Sequence, residues 1–258
     1  MTGLFSVEGK IAVVTGGANG LGRMICEGLV EQGARVYFTS RKEADCRSAE
    51  AELSQRGWCR GIVADLSTPE AVVSFAKTFL ADETSLHILI NNAGRTWGAP
   101  IESFPDKAWP QIMAVNVQAP FTMVRELLPA LRRAGTGEDP ARIINIGSVA
   151  GAAAEKLSAY SYASSKAAIH HLSKVLAADL AGDHITVNAI LPGYFPTNMT
   201  SHIREEEDKL SDLMNRVPLA RLGTSQDIVG ACVFLSSRAG AYVTGVNLSV
   251  DGGMIGCR

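Results

Sequence analysis

The sequence predicts a doubly wound α/β fold, in which helices cover both faces of a parallel sheet. Short apolar segments rich in Val and Ile alternate along the chain with longer segments whose apolar residues recur at helical spacing. The short segments are apolar throughout, so we expect both faces of the sheet to be buried, which is typical of parallel strands. No repeat or long linker interrupts the alternation, and the 258 residues are therefore expected to form a single domain, 1–258.

The alternation begins with a strand at Ile11–Val14, a glycine-rich turn and a helix at 21–32 that stops at Gly33. The third helix, at 68–81, has Pro69 in its first turn, where proline is favoured. The other strands are predicted at 35–39, 61–63, 86–90, 142–146, 185–190 and 248–250. The other helices are predicted at 44–56, 105–117, 118–133, 159–181 and 224–235.

Composition and charge exclude several classes of protein. The chain has 24 Lys+Arg and 26 Asp+Glu, a net charge of −2, so it offers no net basic field for nucleic acid or an anionic membrane. Its five cysteines are scattered without a C-x-x-C pair and lack histidines at metal-ligand spacing. The sequence contains no run of about 18 apolar residues and no signal-type segment. We therefore expect a cytoplasmic protein that holds no metal and does not insert into a membrane.

The glycine-rich turn at 15–22 reads TGGANGLG, with the spacing T-G-x-x-x-G-x-G. A tight turn between a first strand and a first helix lets backbone N–H groups and the helix dipole face a pyrophosphate. The alternative is that the glycines serve only a turn that needs positive φ. A P-loop is disfavoured because the G-K-[ST] ending is missing. The candidate dinucleotide-binding residues of this turn are Gly16, Asn19, Gly20, Leu21 and Gly22.

Four further motifs follow the later strands in order: NNAG at 91–94, Ser148, Tyr162-x-x-x-Lys166, and Pro192-Gly193. Together with the glycine turn, they resemble the short-chain dehydrogenase/reductase family over nearly the whole chain. The segments NNAGRTWGAPIESFP, DPARIINIGSVAG and AYSYASSKAAIHHLSK look most like the 3-oxoacyl (acyl-carrier-protein) reductases that include the rhamnolipid-biosynthesis type. The resemblance implies an NAD(P)-dependent oxidoreductase, a homodimer or homotetramer, and an acyl carrier protein as a candidate partner. It also assigns cofactor contacts to Asn92, Ala93, Gly94, Tyr162, Lys166, Pro192 and Gly193.

The residues after the second strand indicate which cofactor is preferred. An NAD site usually places an acid there, whereas a 2′-phosphate needs a cation. This chain has no acid at that point and has Ser40 and Arg41, which predicts NADP(H). Arg41 could instead be a solvated loop residue. Asn19 also stands where many NADPH-dependent relatives carry a basic residue.

Three other residues resemble cofactor contacts of the family. Asp65 and Leu66, after the third strand, resemble the pair that receives the adenine, although Asp65 could simply be an acid at a helix N-terminus. Thr197, after Pro192-Gly193, resembles the residue that touches the nicotinamide amide. A hydroxyl-stabilised turn or a helix cap is the alternative for Thr197.

The candidate proton donor is Tyr162. A carbonyl reduced by hydride leaves an alkoxide, so a reductase needs an acid near the nicotinamide. Lys166 lies four residues later on the same helix face, where its charge is expected to lower the tyrosine pKa from about 10. Tyr160 points about 240° round the helix from Lys166 and is excluded. A Tyr and a Lys at this spacing also occur by chance on surface helices.

Ser148 makes the catalytic interpretation more specific because it follows a buried strand, at the edge where open α/β sheets place ligands. Its hydroxyl could hold a substrate carbonyl against Tyr162, although a capping or turn serine is also common there. The resemblance adds Asn116, as a residue that bends its helix and anchors a water chain from Lys166. From the residues alone, Asn116 is a polar kink in an apolar helix.

Other charged and aromatic features have simpler explanations. His170 and His171 are expected to be surface or interface residues. Arg132 and Arg133 could steer an acidic carrier protein, but a cationic helix end explains them without one. The stretch 193–217 lacks strand patterning and mixes apolar residues with a charged run, which suggests a mobile substrate lid.

These features favour an NADPH-dependent carbonyl reductase, with a 3-oxoacyl thioester as the first substrate candidate. Alcohol, sugar or polyol dehydrogenases would share the same catalytic residues. A non-catalytic cofactor-binding protein is the main alternative from another class, but it would have no need for Ser148, Tyr162 and Lys166 together. An extended-family epimerase would need a different turn spacing and a longer substrate domain.

Overall fold

The computed structural model describes residues 3–154, 157–197 and 207–257. The strands of the described chain are β1 (Ile11–Val14), β2 (Arg35–Ser40), β3 (Cys59–Val63), β4 (Ile88–Asn91), β5 (Ala141–Ile146), β6 (Ile185–Pro192) and β7 (Asn247–Val250). They form one parallel sheet in the order β3-β2-β1-β4-β5-β6-β7. The order reverses between β1 and β4, so the loops after these two strands diverge and leave a crevice.

The α-helices of the described chain are α1 (Gly20–Glu31), α2 (Glu43–Leu53), α3 (Pro69–Asp82), α4 (Ala108–Met113), α5 (Ala119–Ala134), α6 (Tyr160–Leu180), α7 (Glu207–Arg216) and α8 (Ser225–Ser236). A π-helical turn, Ala114–Gln118, joins α4 to α5. In the described part of the chain, no helix is both long enough and apolar enough to cross a membrane.

The predicted doubly wound α/β fold is confirmed, and alternate residues of β1 show how the two layers form. Ala12 and Val14 are fully buried in the core beneath α1, α2 and α8. Val13, between them, is fully buried in the opposite core beneath α3, α5 and α6. Because successive side chains point to opposite faces, a strand that is apolar throughout requires a layer of helices on each side.

Several predicted element boundaries were wrong by a few residues. The two helices predicted at 105–117 and 118–133 are one continuous run from α4 through the π-helical turn into α5, because the backbone stays helical at the joints. Helix α2 ends at Leu53, its last buried apolar residue, rather than at 56. Thr68 is the N-cap of α3, and its Oγ1 accepts a hydrogen bond from the backbone N–H of Ala71 at 3.3 Å.

We expect Gly28→Ala to reduce the free energy of unfolding by about 1–3 kcal/mol through overpacking between α1 and α8. A Cβ at Gly28 would lie 2.3 Å from Val229 Cγ1, so the two helices must separate to admit it. Gly230→Ala is the matched control on α8, where an added Cβ meets nothing within 4 Å. It should raise stability by about 0.5–1 kcal/mol through helix propensity. Both free energies of unfolding would be measured by urea titration. If the two substitutions changed the free energy of unfolding in the same direction, this packing would be contradicted.

Candidate active site

The glycine turn after β1 has a backbone shape that side chains would prevent. Gly16 and Gly20 have positive φ angles of 67° and 56°. A Cβ at Gly22 would lie 2.2 Å from the carbonyl oxygen of Gly16, so the turn closes tightly only with glycine there. Helix α1 begins directly after Asn19, with no acidic residue in its first turn. Its first N–H groups are therefore suited to an anionic group.

Thr15 and Asn92 fasten the ends of β1 and β4 together. Thr15 Oγ1 accepts hydrogen bonds from the backbone N–H groups of Asn92 and Ala93, both at 2.9 Å. Asn92 Nδ2 donates to the carbonyl oxygens of Thr15 at 2.9 Å and Gly16 at 3.2 Å. The amide of Asn92, a predicted cofactor contact, therefore holds the glycine turn itself.

A cavity of about 740 Å³ opens along the carboxyl edge of the sheet, within the size range of cofactor and ligand pockets. Every predicted cofactor-binding residue lines it. These residues are Gly16, Asn19, Gly20, Leu21, Gly22, Ser40, Arg41, Asp65, Leu66, Asn92, Ala93, Gly94, Tyr162, Lys166, Pro192, Gly193 and Thr197. Ser148 lines the same cavity.

At one end of the cavity, the segment after β2 adds two residues that the sequence analysis missed, Lys42 and Asp45. Lys42 places a second cation beside Arg41, and both residues are exposed. Ser40 Oγ donates to the Lys42 carbonyl oxygen at 3.3 Å, and Asn19 Nδ2 donates to Asp45 Oδ2 at 3.1 Å. The two cations are consecutive in the sequence, so Lys42 could have been predicted as a cofactor contact together with Arg41.

The third strand leads to the same end of the cavity. Asp65 is exposed, and its Oδ1 accepts a hydrogen bond from the backbone N–H of Ser67 at 3.1 Å. Leu66, the next residue, is buried in the cavity wall. The adenine-binding interpretation of Asp65 is compatible with this arrangement. The alternative, an acid at a helix N-terminus, was wrong, because α3 begins at Pro69 with Thr68 as its N-cap and Glu70 as the acid of its first turn.

Lys166 is buried, and it is held to the end of β5. Its Nζ donates a hydrogen bond to the Ile146 carbonyl oxygen at 2.7 Å and lies 5.6 Å from the centroid of the Tyr162 ring. Burial lowers the pKa of Lys166 to about 8, because a low-dielectric environment disfavours the charged form. The ammonium is still mostly charged at pH 7.

Tyr162 differs from the sequence-based expectation in its acidity. Desolvation at the cavity wall raises the pKa of its hydroxyl, and hydrogen bonding with Ser148 opposes that rise. The expected lowering was wrong for this structure, because desolvation by burial is the largest influence on the pKa of this hydroxyl. Tyr162 therefore holds its proton at neutral pH.

Asn116 lies in the π-helical turn and is buried behind the cavity wall. Its Oδ1 accepts from the Arg95 backbone N–H at 2.8 Å, and its Nδ2 donates to the Arg95 carbonyl oxygen at 3.0 Å and to Ser165 Oγ at 2.9 Å. These bonds fasten the loop after β4 to α6. The helix distortion expected at Asn116 is present, and its water chain to Lys166 stays a prediction.

The expectation that His170 is a surface residue was wrong. Its side chain is buried, and its Nε2 accepts a hydrogen bond from the Ser148 backbone N–H at 3.3 Å. It faces inward because it lies one helical turn after Lys166, on the same face of α6. His171 is exposed, as expected, and Tyr160 packs against Phe104 outside the cavity lining.

The predicted lid, 193–217, lies partly outside the described residues, which omit 198–206 and with them half of the charged run at 204–209. In the described part, Tyr194 and Phe195 line the cavity, and the segment continues as helix α7. The mobility of this lid stays a prediction.

In α5, Arg132 forms an ion pair with Asp183 at 2.8 Å and Arg133 donates to the Thr84 carbonyl oxygen, so both have local structural partners.

A parallel sheet with a reversed strand order, a glycine turn at the crevice, and Ser148, Tyr162 and Lys166 along one cavity define the class of dinucleotide-dependent oxidoreductases. A family model described as enoyl-(acyl carrier protein) reductase matches residues 16–255. The chain belongs to the short-chain dehydrogenase/reductase family and is an NAD(P)-dependent oxidoreductase that acts on CH–OH or C=O groups.

Individual relatives agree with this assignment. The rhamnolipids biosynthesis 3-oxoacyl-[acyl-carrier-protein] reductase of Pseudomonas aeruginosa is 44% identical, over 96% of this chain and 97% of the relative. The galactitol 2-dehydrogenase (L-tagatose-forming) of Cereibacter sphaeroides is 37% identical, over 97% and 96% respectively. The solved Pseudomonas aeruginosa RhlG/NADP active-site complex superposes with a TM-score of 0.95 at 44% identity, over 98% of this chain and 99% of that one.

Proposed function

We propose that this chain is an NADPH-dependent carbonyl reductase in which Tyr162, Lys166 and Ser148 carry out the proton chemistry. The observation that carries the proposal is their convergence on one cavity, together with a tyrosine that desolvation keeps protonated. When bound, the cofactor supplies the hydride. Ser148 holds the ketone oxygen, and Tyr162 donates the proton that the developing alkoxide requires.

Lys166 has two roles in this proposal. Its charge stabilises the tyrosinate that remains after proton transfer, and its ammonium holds the cofactor ribose. The Ile146 carbonyl holds the ammonium at the end of β5, in the wall of the cavity that Tyr162 also lines. Asn116 supports the site from behind by holding the loop after β4, and we propose that it also anchors the water chain that returns protons to Lys166.

NADP(H) is proposed as the preferred cofactor. Arg41 and Lys42 place two exposed cations at the cavity end that follows β2. A 2′-phosphate is the part of NADP(H) that such a pair recognises, because Arg provides a fork of donors and Lys a compact charge. The name of the RhlG/NADP complex, a structure of the same fold and 44% identity, supports this choice.

A 3-oxoacyl thioester is the first substrate proposed, and an acyl carrier protein is its candidate carrier. The 44%-identical relative is named as a reductase of this type, and the cavity wall beyond Ser148 includes the apolar residues Val149, Ala150, Leu157 and Phe195. A sugar or polyol is the second candidate. Arg95, a half-buried cation in the same wall, and the relationship to a galactitol 2-dehydrogenase favour it.

The wider organisation is also a proposal. We infer a single reductase domain with a substrate lid at about 193–217, assembled as a homodimer or homotetramer in the cytoplasm. The assembly is the one that the resemblance to the family implies. The five cysteines are free, which supports a reducing compartment.

We expect Tyr162→Phe to lower kcat for reduction of an acetoacetyl thioester by at least about 100-fold, because it removes only the general acid. NADPH binding should be nearly unchanged. Tyr160→Phe is the matched control and should be mild, since Tyr160 packs against Phe104 outside the cavity lining. NADPH oxidation would be followed with the thioester, simple ketones and ketosugars in parallel. Similar losses in both variants would exclude Tyr162 as the acid.

The pH dependence of reduction should show an alkaline limb. The pKa of Lys166 is about 8, so its ammonium is charged below that pH and progressively lost above it. Tyr162 has a raised pKa and keeps its proton over this range. We therefore expect kcat/KM to be level from pH 6 to 7 and to fall above about pH 8. Measuring NADPH affinity at each pH distinguishes weaker cofactor binding from a slower chemical step. A kcat/KM that stayed level up to pH 9.5 would contradict the role of Lys166.

We expect Arg41→Ala to weaken NADPH binding by about 10- to 150-fold, equivalent to roughly 1.5–3 kcal/mol for a charge-assisted phosphate contact, and to alter NADH binding little. Lys42→Ala should act in the same direction. Arg47→Ala is the control, because Arg47 is an exposed arginine of α2 that pairs with Glu43 and lies outside the cavity lining. Fluorescence titration with both reduced cofactors measures the change. A wild-type preference for NADH would overturn the choice of cofactor.

A further inference from the structure

We propose that His170 is a positioning residue, which fixes the catalytic serine by accepting a hydrogen bond from the backbone N–H of Ser148. This inference rests on the role proposed for Ser148. His170 has no part in the chemistry described above, yet it is buried at the site and bonded to the residue that orients the ketone.

Helix α6 directs three functional side chains toward the end of β5. Tyr162, Lys166 and His170 are spaced by four residues, so they share one helix face. Lys166 Nζ binds the Ile146 carbonyl oxygen at 2.7 Å, and His170 Nε2 binds the Ser148 N–H at 3.3 Å. The helix that carries the proton donor therefore also holds, at two points, the segment that carries the serine.

The imidazole of His170 occupies a space that two glycines leave free. A Cβ at Gly147 would lie 2.3 Å from His170 Nε2, which is too short for real atoms, so a side chain there would displace the ring. A Cβ at Gly151 would lie 2.5 Å from the backbone of Lys166 and Ala167 and 2.8 Å from His170 Cε1, so a side chain there would push away both helix α6 and the ring. The segment on both sides of Ser148 is thus shaped around the imidazole.

The protonation state of His170 suits a hydrogen-bond acceptor. Burial lowers the pKa of His170 to about 4, assisted by the charges of Lys166 and Lys174, while a hydrogen bond with the Gly151 backbone opposes the shift. The ring is therefore neutral at physiological pH, and Nε2 can accept only if the proton is on Nδ1. Ser148 Oγ itself accepts from the Ala150 N–H at 3.2 Å, so the backbone and the side chain of the serine are both held.

Without the acceptor on His170, a buried N–H next to the reacting group would have no partner. Such a group carries a free-energy penalty, and the segment would turn to find another acceptor. The Ser148 hydroxyl would then move relative to Tyr162. Small displacements of a positioning group are costly to catalysis, whereas cofactor binding depends on other parts of the cavity.

The test is a double-mutant cycle in the full chain, with NADPH oxidation measured on the best ketone substrate. His170→Leu removes the acceptor and should lower kcat by about 10- to 100-fold with little change in NADPH affinity. His170→Gln offers an acceptor oxygen and should recover part of the loss. His171→Leu, at the exposed neighbouring position, should resemble the wild type.

The Ser148→Ala background separates positioning from general damage. If His170 acts through Ser148, His170→Leu should lower kcat less than about threefold in that background. An equal loss in both backgrounds, or no loss from His170→Leu when Ser148→Ala is impaired, would overturn the proposal. If Ser148→Ala itself retained wild-type activity, the proposed function of Ser148 would fail first, which is a different result.

A measurement on the wild-type protein covers the case in which His170→Leu does not fold. Two-bond ¹H–¹⁵N correlation spectra of the NADPH-bound protein at pH 7 report which ring nitrogen carries the proton. The Nδ1–H tautomer of His170, with unprotonated Nε2, is expected. A proton on Nε2 would overturn the proposal, because that nitrogen could not then accept from Ser148.

Discussion

The buried ammonium of Lys166 is the constraint on which the site depends. Moving a cation out of water costs several kcal/mol unless it is hydrogen bonded, and Lys166 meets this requirement through the Ile146 carbonyl at the end of β5. Together with the bonds from Asn145 to Ser173 and from the Ser148 N–H to His170, that bond ties α6 to the end of the sheet. Once α6 is fixed, Tyr162 lies one turn before the lysine and His170 one turn after it, both facing the segment that carries Ser148.

The parallel sheet explains why residues far apart in the chain meet at this point. The carboxyl ends of β1, β4, β5 and β6 lie on one edge, so the segments following each strand line the same cavity. At this edge, the strands are held in register by side-chain hydrogen bonds as well as by the backbone hydrogen bonds between neighbouring strands. Thr15 and Asn92 join β1 to β4, while buried Asn145 bonds to Asn91 of β4 at 2.9 Å and to Ser173 of α6 at 2.8 Å.

The sequence was sufficient for the fold and for the cofactor and catalytic candidates, because apolar strands and short motifs are local signals. It was insufficient where a property depends on distant packing. The inward position of His170 depends on Gly147 and Gly151, about 20 residues earlier, which leave room for its ring. The raised pKa of Tyr162 likewise comes from desolvation by surrounding elements, whereas helix spacing alone revealed only the neighbouring Lys166.

Desolvation of Tyr162 and Lys166 also bears on the direction of catalysis. It disfavours the charged form of each group. The pKa of Tyr162 is therefore raised, so the hydroxyl keeps its proton, and the pKa of Lys166 is lowered, so the ammonium holds its proton less tightly. At neutral pH the site therefore holds a neutral acid beside a lysine that is still mostly charged, the state needed to protonate an alkoxide. Alcohol oxidation would require the tyrosinate first, at a cost that burial increases. The arrangement consequently sets the protonation state from which each direction starts, while the ratio of the forward and reverse rates is still set by the equilibrium between the substrates.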